Sequence, residues 1–112
     1  MSAPATPPPR VSMRVGLAQM RVVAGQPQDN LQRAVDYIAK AARAGCDLVV
    51  LPECLDVGWG DERARQLAQP IPGAHLQPLA DAARQGRIFV AAGLVERDAA
   101  RIFNAAVLLD DS

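Results

Sequence analysis

Glu53 follows the run Leu48-Val49-Val50-Leu51-Pro52, so an apolar strand stops against a proline and presents a carboxylate at its C-terminal tip. In an open α/β sheet, ligands bind in the crevice outside the carboxyl ends of the strands. A carboxylate tuned there by burial against apolar strand ends can take a proton from a nucleophile or a water, which is the work of a general base. The bland alternative is an exposed turn acid or a cap for the next segment, because acids at strand ends mark sites only statistically.

The other side chains able to do chemistry are few. Cys54 is adjacent to Glu53, but neighbours in an extended chain point to opposite sides. It therefore reads as a small buried hydrophobe rather than as a nucleophile. Cys46 precedes the same strand and reads as structural. A strand holds its two ends apart, so no Cys46–Cys54 disulfide is expected. His75 is the single histidine; without a second histidine or clustered cysteines no metal is expected. It falls in the first turn of a later helix. Lys40, the single lysine, lies on the polar face of the first helix. Trp59, within Gly58-Trp59-Gly60, either lines a substrate pocket or fills the edge of the core. Asn104 lies within a strand, where a buried amide must be paired, here with nearby backbone groups. Glu96 is solvated or pairs with Arg97, Arg101 or backbone. No glycine-rich phosphate loop is present, so no cofactor is expected.

The elements that must position these groups can be read from spacing. Residues 13–20 suit a strand. Gly25-Gln26-Pro27 makes a turn, and Asp29 or Asn30 can cap a helix. Leu31, Ala34, Val35, Ile38 and Ala42 then repeat at helical spacing until Gly45. A strand over 47–51 follows, so the chain opens strand–helix–strand, a right-handed parallel crossover. A short helix over 61–68, capped by Asp61, precedes the breakers Pro70, Pro72 and Gly73. Leu76, Leu79, Ala80 and Ala83 mark a second packing helix ended by Gly86, with Pro78 tolerated in its first turn. Residues 87–95 are nearly all apolar, as in a strand covered on both faces. Residues 102–109 form another strand, and the connection 98–101 is too short for a crossover, so these two pair as an antiparallel hairpin. Two main helices cover only one face of such a sheet, which leaves the second face for more chain or another subunit.

Bulk properties bound the function. Lysine plus arginine balance aspartate plus glutamate at 12 each, so there is no electrostatic footprint for nucleic acid. No apolar run reaches the roughly 18–20 residues of a membrane span. Residues 1–12 contain Ala3-Pro4-Ala5-Thr6-Pro7-Pro8-Pro9, and proline lacks the N–H that helices and ladders need. They read as a disordered, proline-rich tail without the apolar core of a secretory signal, which places the two thiols in a reducing cytoplasm.

Val15-Gly16-Leu17-Ala18-Gln19-Met20, Asp29-Asn30-Leu31 and Ala44-Gly45-Cys46-Asp47-Leu48-Val49-Val50-Leu51-Pro52-Glu53 closely resemble, in order, the opening of the nitrilase superfamily of carbon–nitrogen hydrolases. Ile71-Pro72-Gly73, Val90-Ala91-Ala92-Gly93-Leu94-Val95-Glu96-Arg97 and Phe103-Asn104-Ala105-Ala106-Val107 continue the resemblance. It implies an α/β fold that is the N-terminal part of a four-layer α-β-β-α sandwich, with residues 13–112 a partial domain and the complete form a homo-oligomer. It also implies hydrolysis of a small amide, carbamoyl amide or nitrile by a Glu-Lys-Cys triad in which Glu53 is the base. The lysine that steadies the oxyanion and the cysteine that forms the thioester have no counterpart in this chain, and Lys40 matches neither. The chain alone is therefore expected to be inactive. The rival expectation is an inactive remnant serving as an interaction module.

Overall fold

The apolar stripe Leu31, Ala34 and Ile38 is buried as its spacing requires, and it sets which side of helix α1 (Pro27–Arg43) lies on the sheet. The computed structural model describes residues 4–6 and 11–112, so most of the expected proline-rich tail lies outside the described residues. The elements run β1 (Val15–Leu17), α1, β2 (Leu48–Val50), α2 (Ala64–Leu67), α3 (Leu76–Gly86), β3 (Phe89–Asp98) and β4 (Arg101–Leu109).

The four strands form one mixed sheet in the order β1-β2-β3-β4. β1, β2 and β3 are parallel, while β3 and β4 pair antiparallel from Val90↔Leu109 to Asp98↔Arg101. The β-α-β opening and the C-terminal hairpin are thus as expected. The first two strands are shorter than their apolar runs suggested, three residues each.

Helix starts depart from the sequence reading. Neither Asp29 nor Asn30 caps α1. The helix begins at Pro27 behind Gln26, whose side chain makes no capping bond. Proline suits that first position because its missing N–H would be unpaired there in any case. Asn30 is instead fully buried. Likewise Asp61 does not cap α2, which starts behind Arg63; its carboxylate accepts the Arg63 backbone N–H at 2.7 Å.

The register sorts the side chains into two faces. Val49, Val90, Ala92 and Leu94 face α1 and α3 and form the core with Leu79, Ala83 and Ile88. The opposite face carries Val15, Leu17, Val50, Phe89 and Leu108, all exposed, with Leu17 at 73% and Leu108 at 68%. β3 is therefore not covered on both faces along its length. Only its far end is: Val95, with Ile102 of β4, packs under Cys54, Val57 and Ala68 from the segment that follows β2. The described chain holds one helical layer and one sheet layer, two of the four layers expected.

Candidate active site

The segment after β2 is steered by β3. The Leu51 N–H donates to the Ala91 carbonyl at 2.8 Å, continuing the ladder for one residue. The chain then turns across β3 at Gly93, whose N–H donates to the Pro52 carbonyl and whose carbonyl accepts the Leu55 N–H at 2.9 Å. A Cβ at Gly93 would lie 2.6 Å from the Glu53 Cα and 3.0 Å from the Cys54 nitrogen. Only glycine lets the backbone of Glu53 approach so closely.

Buried polar groups anchor the same turn. Asp56 is fully buried. Its Oδ1 accepts the backbone N–H groups of Val57 at 2.9 Å and Val95 at 3.0 Å, and its Oδ2 is 2.8 Å from Nδ1 of His75. Asn30 donates through Nδ2 to the carbonyls of Val23 and Asp56 and accepts the Val23 N–H. One loop is thus tied to α1, to β3 and to the start of α3. Among the described residues no buried side-chain nitrogen or oxygen is left without a hydrogen-bond partner. His75 precedes the first turn of α3, close to its expected place, as the buried partner of a carboxylate. Asp56 was not singled out in the sequence. An acid inside the apolar stretch Cys54-Leu55-Asp56-Val57 was the available signal.

Glu53 reaches a cleft of about 530 Å³ floored by Val50, Ala91, Gly93 and Ala106 and walled by Asn104. Its side chain is exposed, so the expected burial against apolar strand ends does not occur here. Asn104 Nδ2 donates to Glu53 Oε1, whereas Oε2 has no hydrogen-bond partner among the described residues. Asn104 is exposed, and its amide is paired with side chains rather than with the backbone groups expected. Its Oδ1 lies 3.8 Å from the Cys54 sulfur.

Cys54 departs from the extended-chain expectation. Its φ is +51°, a left-handed turn residue, so its sulfur comes round to the same asparagine that Glu53 meets. The thiol is nonetheless a poor nucleophile. Burial first, then the negative charges of Glu53 and Asp56, push its pKa up and keep it protonated.

The remaining residues fall away from the cleft. Lys40 is exposed on α1 and borders a separate hollow with Tyr37 and β1. Cys46 borders that hollow too and is half-buried. Trp59 is 79% exposed, so it does not fill the edge of the core, and it is not among the residues lining the Glu53 cleft. Among the described residues no three His, Cys, Asp or Glu side chains converge to hold a metal, and no helix is long and apolar enough to cross a membrane. The arrangement offers a carboxylate with one oxygen held by an amide donor and the other free to receive a proton beside an apolar floor.

Comparison with known proteins fits this geometry. The family profile described as carbon-nitrogen hydrolase matches residues 14–112. The chain is 33% identical over 94 residues to the omega-amidase NIT2 of Mus musculus, covering 83% of this chain and 34% of that protein. It is 34% identical over 101 residues to a nitrilase of Pyrococcus abyssi, covering 87% of this chain and 38% of that one. A variant of the Nesterenkonia AN1 amidase superposes with a TM-score of 0.78 at 26% identity, over 92% of this chain and 40% of that one. Another variant of that amidase was solved in complex with acrylamide and superposes with a TM-score of 0.77. The chain spans little more than a third of the length of these curated relatives.

Proposed function

We propose that this chain, which belongs to the carbon–nitrogen hydrolase family, supplies the general base of an active site that hydrolyses a carbon–nitrogen bond of a small amide, carbamoyl amide or nitrile. Glu53 is that base. The single observation that carries the role is the placement of its carboxylate just past the C-terminal end of β2, lining the cleft, with Oε1 held by Asn104 and Oε2 without a hydrogen-bond partner among the described residues.

For an amide, the chemistry runs in two halves. Glu53 takes the proton of a cysteine thiol, and the thiolate forms a bond to the carbonyl carbon. A lysine ammonium offsets the charge that develops on oxygen. The carbon–nitrogen bond breaks as Glu53 returns the proton to the departing nitrogen, leaving a thioester. Glu53 then takes a proton from water, the hydroxide attacks the thioester, and the cysteine leaves with that proton. No residue of 1–112 is proposed for the lysine or for the cysteine. Trp59, exposed just beyond the loop of Glu53, is the proposed substrate contact, and the complete protein is proposed to be a homo-oligomer. The omega-amidase and nitrilase relatives, and the amidase solved with acrylamide, make a small amide or nitrile the fitting substrate class.

Residues 1–112 alone are expected to release no ammonia from acrylamide or a simple nitrile, and the product of the whole reading frame is expected to release it. Failure of the whole product on a broad panel of small amides and nitriles would overturn the assignment. A second reading, an inactive interaction module, is favoured by one feature, the exposed apolar sheet face of Leu17, Val50, Phe89 and Leu108. Concentration-dependent association without turnover would select it.

A further inference from the structure

We propose that Cys54 and Asn104 form a positioning relay for Glu53, in which the buried thiol fixes the direction of the Asn104 amide and so locks that amide as a donor to the carboxylate. The relay rests on Glu53 being the base. It adds two positioning residues, neither of which bonds to substrate.

A carboxamide has two ends of similar shape, one accepting and one donating, and a half-turn exchanges them. The amide of Asn104 stands between two different groups. The Glu53 carboxylate only accepts, so it needs the NH2 end, which it has. The Cys54 S–H is a weak donor, so it matches the oxygen end, and Oδ1 lies 3.8 Å from the sulfur. The reversed amide would set its oxygen against the carboxylate and lose both contacts. Each partner thus selects the same orientation.

Two local features make the relay available. The left-handed φ of +51° at Cys54 turns the sulfur to the side where Glu53 and Asn104 meet; extended backbone would send it to the opposite side. Such a conformation is disfavoured for a residue with a Cβ, and here it is held by the hydrogen bonds of Gly93 to either side of the turn. The second is the state of the thiol. Burial and the charges of Glu53 and Asp56 keep it protonated, and only the protonated form donates. The outcome is that Glu53 Oε1 is occupied, and Oε2 is left as the oxygen that takes the proton.

The test follows the carboxamide carbon of Asn104 by NMR in the isotope-labelled full chain. Lowering the pH until Glu53 is protonated is expected to move that resonance, and Glu53→Gln to abolish the movement. Cys54→Ser, which retains a donor, is expected to keep the movement. Cys54→Ala, which leaves the amide held by the carboxylate alone, is expected to reduce the movement. Cys54→Ala giving the full movement would overturn the relay. A second measurement needs no variant to fold: raising the pH until Cys54 ionises turns the donor into an acceptor, and the same resonance must move with the thiol. A resonance that ignores thiol ionisation would equally overturn it. Neither readout depends on turnover, so loss of the relay and loss of the catalytic role of Glu53 are separate results.

Discussion

The Asn104 carboxamide donates to the Glu53 carboxylate across a separation of 51 residues, joining β4 to the end of β2 over the strand between them. The backbone of Glu53 lies against Gly93 of β3, the residue with no side chain to block it. A carboxylate, the amide that holds it and the glycine that admits it therefore belong to three different strand segments. The site is a property of the sheet register, and a shift of one residue in either pairing would turn Asn104 to the other face.

Gly93→Ala is expected to displace the turn that carries Glu53, because the new methyl meets backbone that has no room to yield. The cost should be about 2 kcal/mol, as for other overpacked positions. Chemical unfolding of the variant beside the parent chain measures it, and an unchanged midpoint would mean that the close approach is not required.

Asn30→Ala removes the partner of the Val23 N–H and of the Val23 and Asp56 carbonyls. Leaving buried backbone groups unpaired should cost about 3 kcal/mol. Asn30→Asp should be at least as harmful, since it places a carboxylate oxygen against two carbonyls. Unfolding midpoints of both variants test this, and a harmless Asn30→Ala would reduce the residue to the helix-start role its sequence position suggested.

Asp56→Ala strips two backbone N–H groups and the His75 ring of their acceptor at once. A loss of about 3 kcal/mol or more is expected, the scale for breaking a buried polar network. A double-mutant cycle with His75→Ala should show the two substitutions to be strongly non-additive. Additivity would mean that the pair is not coupled.

Much of the fold was legible in the sequence because its signals are local. Helical spacing of Leu31, Ala34 and Ile38 and the short 98–101 connection named a helix and a hairpin, and the structure has both. Glu53 stood out because Pro52 ends an apolar strand. What spacing could not show was burial and long-range pairing. Asparagine favours a helix-cap position, but here Val23, before α1, offers Asn30 two backbone groups and the loop after β2 offers it the Asp56 carbonyl, a pairing that no local pattern announces. Cys54 looked remote from Glu53 because extended chain alternates its sides, and only the left-handed turn over Gly93 reverses that. The uncovered sheet face follows from the apolar count on two strands without helices enough to cover them.

The stability of the chain should depend on alkaline pH through Cys54. Its folded-state pKa is raised, by burial first and then by Glu53 and Asp56. The folded form therefore holds its proton more tightly than the unfolded form, and stability is fully present below the unfolded thiol value of about 8.5. It falls as the pH rises from there through the higher folded value. Unfolding midpoints measured across that range should decline in the parent chain and decline less in Cys54→Ser. Equal declines would show that the thiol is not the responsible group.

The turnover of Glu53→Gln in the product of the whole reading frame tests most directly whether the Glu53 carboxylate is a general base. Ammonia release from a small amide such as acrylamide is compared with the unsubstituted protein, with folding of both checked by their unfolding midpoints. A fall of about a thousandfold, within the range for loss of a general base, with an unchanged midpoint is the expected result. Undiminished release by a folded Glu53→Gln protein would contradict the assignment of Glu53.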